Sequence, residues 1–383
     1  MHTYDRNYFK IALPAALEGL FMILLASTDL IMVGALGALS IAAVSISLQP
    51  RLILLCFSRS LASSVTLLVS KKAGAGDTAG SADIMKKSLT LCAIFMGLLH
   101  ILFYIFLDDI FYLMGANDEY MAEAMAYGPI ALASVYVTSL TLILQAVQLG
   151  YGRTSVIMKT NVCGNVVNLA LNALLIFGFG PIPSLGVTGA AIGTLVSTIF
   201  TLGWTAWILK NESFFSGGSY LPDRAYFHRI MPILLSILSE QGSERVGMVL
   251  FGRMAAGLGT IPFAVHSICM NICDVYYDFI MGFGKASMVM AGQSCGKGSG
   301  EDWHGYKRCG LKWSFILSAI VCAAIFFFRS DIFALYSDDA SSMEIASVIM
   351  IFVCSSSDAR RLTVVQGRFL ASLAMTIRES DVS

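Results

Sequence analysis

The sequence predicts an all-α polytopic membrane protein built from two like bundles of helices, and its composition, long apolar stretches and internal repeat support that fold class. Hydrophobic residues make up 56% of the 383 residues, charged residues only 13%, and the mean hydropathy is +0.74. Soluble domains contain about 25% charged residues. The chain is therefore expected to lie in a lipid bilayer.

Ten stretches of the chain are predicted to cross the membrane as helices. A helix of about 20 apolar residues spans the hydrocarbon core, which is roughly 30 Å thick. The predicted spans are residues 9–33, 41–69, 89–107, 127–149, 156–179, 187–209, 230–251, 261–293, 310–328 and 345–354. A polar connector separates the sixth span from the seventh. We therefore expect an N-terminal lobe of six helices (1–210), a cytoplasmic linker (211–229) and a partial C-terminal lobe of about four helices (230–383).

Loop charges predict the orientation of these spans. With the amino terminus in the cytoplasm, fifteen Lys and Arg residues fall in inner loops, Lys86 and Lys87 among them, and only Arg253 and Arg329 fall on the outer side. Cytoplasmic loops normally carry this excess of basic residues. We expect a multi-pass protein of the cell membrane with a cytoplasmic amino terminus.

An internal repeat joins the two halves at one offset of 222 residues. The matching positions include the pairs Gly37 and Gly259, Gly74 and Gly296, and Asp109 and Asp331. Equivalent spans have the same sidedness, so the repeat is parallel. Two such bundles leave a central cleft and suit transport by alternating access.

The end of the chain departs from this repeat. A second half equal to the first would have six spans and continue past Ser383. The last stretch instead carries four arginines, Arg360, Arg361, Arg368 and Arg378. We expect a C-terminally truncated or frame-disrupted version of a longer protein, with lost activity or poor stability as the consequence; the alternative is a natural ten-span variant with a surface tail.

The first span carries two carboxylates, Glu18 and Asp29, together with Pro14, which permits a bend. A charged side chain at bilayer depth costs roughly 2.5 to 3.5 kcal/mol, so such residues usually face a bundle interior or a water-filled path. The alternative is that the acids are paired structurally or reach the membrane surface. A bendable helix with buried acids favours a transporter.

A series of motifs, taken in this order on these spans, resembles the multidrug and toxic compound extrusion (MATE) transporters, a branch of a larger group that includes polysaccharide and lipid-linked flippases. The motifs are ALP (12–14), TDLIMVG (28–34), GAGD (74–77), QLGYGRTS (148–155), NLALN (168–172), LGVTGAAIGT (185–194), MPILLSILSE (231–240), AVHSICMNI (264–272) and GQSCGKG (292–298). The resemblance covers about residues 8–353. It implies a V-shaped fold of two pseudo-symmetric six-helix bundles, and export of amphipathic, often cationic compounds by antiport with H⁺ or Na⁺.

The resemblance also implies the residues that couple the ion to transport. Asp29 falls where the family has an acidic residue on its first helix. Asn168 and Asn172 lie one turn apart on one helix face, at a pair that in some members is Asn followed by Asp, and Thr194 adds a hydroxyl. Glu240, eight residues after a proline, falls at the C-lobe cation-binding glutamate of sodium-coupled members.

Further charged residues are candidates to line the cleft: Glu18, Arg51, Glu244, Asp274 and Asp278. Each has a structural alternative. Arg245 can pair with Glu240 or Glu244, and Lys285 can pair with Asp274 or Asp278. Arg51 and Arg59, eight residues apart on one helix face, can pair with Glu18 or Asp29, or bind an anionic group of a substrate.

Other functions are less well supported by the residues. The four basic residues Arg51, Arg59, Arg245 and Lys285 keep a lipid-linked oligosaccharide or polysaccharide flippase as the alternative. An enzyme is not expected, because no paired-histidine metal motif, glycine-flanked serine or cofactor loop is present in the sequence. We expect no cofactor beyond the coupling ion, no nucleic-acid partner, a monomer in the lipid bilayer, and small organic cations as substrates.

Overall fold

A computed structural model describes residues 2–114, 116, 118–179, 183–212, 214–256 and 260–334. Apolar stretches form long helices there, separated by short turns. The helices are α1 (His2–Gly34), α2 (Ala38–Ile46), α3 (Leu48–Gly74), α4 (Thr78–Ile105), α5 (Leu107–Leu113), α6 (Asp118–Gly150), α7 (Thr154–Phe177), α8 (Gly186–Asn211), α9 (Arg224–Ala256), α10 (Thr260–Lys297) and α11 (Gly300–Ala334). The predicted span at 345–354 and the arginine-rich tail lie outside the described residues.

Five helical segments of the described part are long and apolar enough to cross a membrane. They are Leu39–Gly74, Thr78–Ile105, Asp118–Gly150, Thr154–Phe177 and Gly186–Asn211. These segments correspond to five of the six spans predicted for the first half. The all-helical membrane fold predicted from composition is therefore confirmed, although the full number of ten spans is not.

Helix bounds follow the sequence repeat. Helices α1 and α9 are both 33 residues long, and α9 begins 222 residues after α1 begins. By the same offset, α10 corresponds to α2 and α3 together, and α11 corresponds to α4 and α5 together. The order of helices α1 to α5 thus recurs in α9 to α11.

The chain divides into two compact units. One unit is Phe21–Leu238, and the other joins Met1–Leu20 to Ser239–Ser383. The unit limits differ from the lobe limits expected at 210 and 230, because α1 and α9 each contribute residues to both units. The first unit is called the Asp29 unit below, and the second is called the Glu18 unit.

In the Asp29 unit, α8 packs closely on α6 and α7, and α3 packs on α6 and α4. Small residues allow the close approach of α7 and α8. A methyl group on Gly189 would lie 2.5 Å from the carbonyl oxygen of Leu175. Membrane helices commonly use small residues in this way, since lipid offers no hydrophobic drive for helix association.

The connector after α8 folds back over α4 in the same unit. Loop charges predict Lys86 and Lys87 in a connecting loop, but both side chains are buried within α4. Lys86 Nζ donates to the carbonyl oxygen of Gly217, and Lys87 Nζ lies 2.7 Å from Asp83 and 3.0 Å from Asp223. The two ammonium groups are therefore satisfied by the connector and by α4 itself.

The Glu18 unit buries the first turns of α1 against α10 and α11. The Tyr8 hydroxyl lies 2.9 Å from both the Phe283 carbonyl oxygen and the Ser287 hydroxyl. Trp313 Nε1 donates to Asp5 Oδ1 at 2.7 Å. These contacts fix the beginning of α1 on the second half of the chain.

Candidate functional site

A polar cluster lies among the apolar helices of the Asp29 unit. It contains Asp29 of α1, Asn168 and Asn172 of α7, and Thr194 of α8. Asn172 Nδ2 donates to Asp29 Oδ1 at 3.0 Å and lies 3.3 Å from the Asn168 side-chain amide. The Asn168 side-chain amide in turn lies 3.3 Å from the Thr194 hydroxyl. Three helices thus bring together the four residues that the sequence analysis named for the first lobe.

The Asn168 amide fits this cluster best when its nitrogen faces Asp29. In that orientation Nδ2 lies 3.0 Å from Asp29 Oδ2, and Oδ1 accepts from the Thr194 backbone N–H at 3.2 Å. The opposite orientation leaves the amide oxygen facing only acceptors, so we adopt this assignment. The Asp29 carboxylate then receives a side-chain amide donor from both asparagines.

One oxygen of the cluster has unused hydrogen-bonding capacity. Asn172 is 2% exposed, and its Oδ1 has no hydrogen-bond partner among the described residues. An unsatisfied buried acceptor costs about 1 to 3 kcal/mol. A proton on the carboxylate or a metal cation beside it would give this oxygen a partner.

A backbone contact fixes the position of Asn172. A methyl group on Gly193 of α8 would overlap Asn172 Oδ1. Only glycine at this position therefore allows α8 to approach the amide. The sequence analysis missed Gly193, although it lies beside Thr194 in the LGVTGAAIGT motif.

An apolar layer covers the cluster on one side. Val33, Ile176 and Ala190 pack together with Tyr127 of α6. The first three lie one helical turn from Asp29, Asn172 and Thr194 respectively. The four polar residues are therefore separated from the Gly34 end of α1 by a packed layer.

Arg51 of α3 contacts this layer through Tyr127. Its Nη1 donates to the Tyr127 hydroxyl at 3.0 Å. Its Nε is buried with no hydrogen-bond partner among the described residues. Arg59 is exposed, so the two arginines that the sequence places on one face have different surroundings.

The chemistry of the cluster suits a small cation. It offers the Asp29 carboxylate, the Asn172 amide oxygen and the Thr194 hydroxyl, which are hard oxygen ligands of the kind that hard cations prefer. The carboxylate alone can also carry a proton. No group of three or more His, Cys, Asp or Glu side chains that could hold a metal ion occurs in the described part of the chain.

The Glu18 unit contains the remaining candidates. Glu18 is 8% exposed, and its Oε2 lies 3.7 Å from Lys285 Nζ. Glu18 thus has a lysine of α10 as one partner, a pairing that the sequence analysis did not name. Asp274 and Asp278 are the partners that the sequence suggests for Lys285, and those two side chains lie outside the described residues.

The two C-lobe glutamates differ in their surroundings. Glu240 is exposed, whereas Glu244 is half-buried and accepts a hydrogen bond from the Tyr277 hydroxyl at 3.4 Å. Glu18 and Glu240 are separated by the repeat offset of 222 residues. The ion-binding role expected of Glu240 stays a prediction.

A repeated all-helical membrane fold with a polar cluster around one half-buried carboxylate is typical of a polytopic membrane transporter. The model of the MatE family matches residues 14–174 and 232–378, which is most of the chain. The chain therefore belongs to the MatE family. The resemblance stated from the sequence motifs is confirmed.

Individual proteins support this assignment. The probable multidrug resistance protein NorM of Rhizobium meliloti is 25% identical over 350 residues, covering 89% of this chain and 72% of that protein. The multidrug resistance protein PmpM of Pseudomonas aeruginosa is 25% identical over 373 residues, covering 94% and 76%. The crystal structure of the Vibrio cholerae MATE transporter VcmN in the bent form matches with a TM-score of 0.89 at 17% identity, covering 98% of this chain and 85% of that one. This last likeness establishes the fold.

Proposed function

We propose that this chain is a secondary active transporter that exports amphipathic organic cations in exchange for H⁺ or Na⁺, and that Asp29 binds the coupling ion. The observation that carries this proposal is the clamp of Asn168 and Asn172 on the half-buried Asp29 carboxylate. The names of NorM and PmpM as multidrug resistance proteins support the substrate class.

The clamp explains why one carboxylate suffices for ion binding. Both amides donate to the anionic form of Asp29, which lowers the cost of holding a charge among apolar helices. When an ion arrives, the Asn172 Oδ1, which has no hydrogen-bond partner among the described residues, can bind it, and the Thr194 hydroxyl can turn to it from the Ala190 carbonyl oxygen. Binding then removes the net charge of the cluster, and the free energy of the ion gradient is available to shift the conformational equilibrium.

The location and assembly that go with this function are part of the proposal. The excess of basic residues in alternate loops supports a cell-membrane protein with a cytoplasmic amino terminus. We infer that the monomer is the transporting unit. Glu240 is proposed as a second ion-binding residue, because it falls at the position of the C-lobe cation-binding glutamate in the family resemblance.

The experiment is efflux of ethidium from proteoliposomes under imposed Na⁺ or H⁺ gradients. Asp29→Asn removes the ion-binding charge, and we expect gradient-driven efflux to fall roughly tenfold or more, because an ion with no differential affinity for the two states cannot shift them. Glu240→Gln tests the second residue in the same assay. Asp109→Asn is the matched control, since Asp109 is an exposed carboxylate of α5. Full gradient-driven efflux by Asp29→Asn would refute the proposed role of Asp29.

A further inference from the structure

Arg51 is a permanently charged group whose hydrogen-bond partner, Tyr127, packs in the apolar layer next to the candidate ion-binding carboxylate. We propose that Arg51 acts as a tethered counter-cation that competes with the coupling ion for Asp29, and that Tyr127 holds it back from the carboxylate. This inference rests on the proposed function of the Asp29 cluster. It assigns Arg51 a specificity-determining role and Tyr127 a positioning role.

The placement of Arg51 follows from packing. Tyr127 packs in one layer with Val33, and Val33 lies one turn of α1 beyond Asp29. The Arg51 guanidinium is hydrogen-bonded to the hydroxyl of this tyrosine at 3.0 Å. Arg51 is thus held at the edge of the layer that covers the carboxylate.

The hydrogen bonding of Arg51 is incomplete. A guanidinium has five N–H donors and stays charged under all ordinary conditions. The bond to Tyr127 uses one of them, and the buried Nε has no partner among the described residues. A half-buried cation with an unpaired donor is attracted to an anion in its neighbourhood.

Asp29 is that anion. Asp29 lies one turn of α1 before Val33, and Val33 packs with Tyr127, the hydrogen-bond partner of Arg51. On the other helices packed around Asp29, α7 contributes the neutral Asn168 and Asn172, and α8 contributes the neutral Thr194. α6 contributes Tyr127, and Glu123, which lies one turn earlier on α6, accepts a hydrogen bond from Ser40 at 2.8 Å.

The electrostatic consequence has a definite sign. A fixed positive charge near a carboxylate opposes the binding of Na⁺ and of H⁺ alike. Removing that charge strengthens the binding of either ion. Releasing the guanidinium from Tyr127 lets it approach Asp29, which weakens the binding of either ion.

Sodium binding to the purified, full chain in lipid nanodiscs tests this proposal. Radioactive sodium is titrated at constant ionic strength, with choline chloride replacing sodium chloride. We expect the half-saturating Na⁺ concentration to fall roughly tenfold in Arg51→Gln, because one unit charge close to the site is lost. It is expected to rise about threefold or more in Tyr127→Phe, and to stay near the parent value in Arg51→Lys, which keeps the charge.

Two further variants identify the cause of any shift. Arg59→Gln removes an exposed arginine of the same helix and is expected to leave Na⁺ binding unchanged. Arg51→Gln in the Asp29→Asn background is expected to produce no shift, since its effect runs through Asp29. Tyr127→Phe keeps the ring in the apolar layer, so it tests the proposal even if Arg51→Gln does not fold.

If the site takes H⁺ rather than Na⁺, the same variants are compared by the pH midpoint of proton uptake. Arg51→Gln then moves the midpoint to higher pH, and Tyr127→Phe moves it to lower pH. Saturable ion binding that Arg51→Gln and Tyr127→Phe leave unchanged would overturn the counter-cation role alone. Shifted ion binding without any gradient-driven efflux would overturn the proposed transport function alone, and no saturable binding of either ion would overturn both.

Discussion

Gly193 of α8 and Asn172 of α7 are in such close contact that a single methyl group on the glycine would overlap the asparagine Oδ1. The same amide donates to the Asp29 carboxylate at 3.0 Å. The separation of α7 and α8 therefore controls the direction in which the Asn172 amide points. A change in helix packing at Gly193 becomes a change in the candidate ion site.

Gly193→Ala is expected to impair both stability and ion-coupled efflux. The methyl group must push Asn172 aside or separate the helices, and overpacking of this kind costs about 1 to 3 kcal/mol. The measurement is thermal stability together with ethidium efflux under an imposed gradient. Gly203→Ala is the matched control, because Gly203 lies on the same helix with nothing within 4 Å of the added methyl group among the described residues. Equal behaviour of the two variants would contradict this account of the contact.

Much of the Asp29 cluster could be predicted from the sequence. Asn168 and Asn172 share a helix face because they are four residues apart, and an acidic residue in an apolar span rarely lacks a function. The family resemblance placed Asp29 and Thr194 with them. The structure brings all four residues together, and their role in ion coupling remains proposed.

The contacts around the cluster could not be predicted in the same way. Tyr127 and Arg51 are 76 residues apart and meet through a side-chain hydrogen bond between two helices. Neither residue type nor local spacing specifies such a pair. The burial of Lys86 and Lys87 escapes prediction for a related reason, because the connector that covers them follows more than a hundred residues later in the chain.

Asp77 caps α4 and supports a prediction about pH. Its side chain accepts from the Gly80 backbone N–H at 2.7 Å and from Lys72 Nζ at 2.8 Å. The hydrogen bond from Lys72, followed by the one from Gly80, holds the pKa of Asp77 below its usual value of about 3.9. The folded protein therefore binds this proton less readily than the unfolded chain does.

Asp77→Ala is expected to destabilise the protein by about 1 kcal/mol, the usual cost of losing a side-chain helix cap. Asp77→Asn keeps an oxygen for Gly80 and loses only a partly exposed ion pair with Lys72, so its cost at neutral pH is expected to be less than about 0.5 kcal/mol. The measurement is the midpoint of thermal unfolding in detergent at several pH values.

The carboxylate of Asp77 stabilises the fold above its unfolded pKa, and this contribution is lost as the pH falls through its folded pKa. The difference between the parent and Asp77→Ala should accordingly shrink as the pH is lowered from about 5 toward about 2. A difference that stays constant over this range would show that the charge of Asp77 contributes nothing to stability.

For the pair of Glu18 and Lys285, we predict that removing one charge destabilises the protein more than removing the other. The Glu18 side chain is 11% exposed and the Lys285 side chain is 38% exposed, and the two charges are 3.7 Å apart. Removing the lysine charge leaves a carboxylate in a buried position, whereas removing the carboxylate leaves an ammonium that is more exposed. A buried charge that loses its countercharge is the costlier of the two.

Lys285→Met is therefore expected to destabilise the protein by about 2 kcal/mol, and Glu18→Gln by less than about 1 kcal/mol. The double variant Glu18→Gln/Lys285→Met should be more stable than Lys285→Met alone, because it leaves no buried charge behind. The free energy of unfolding in an SDS titration measures all three, and Arg308→Gln, which removes an exposed cation of α11, is the control. A double variant as unstable as the sum of the two single variants would mean that the two charges do not interact, since independent sites add.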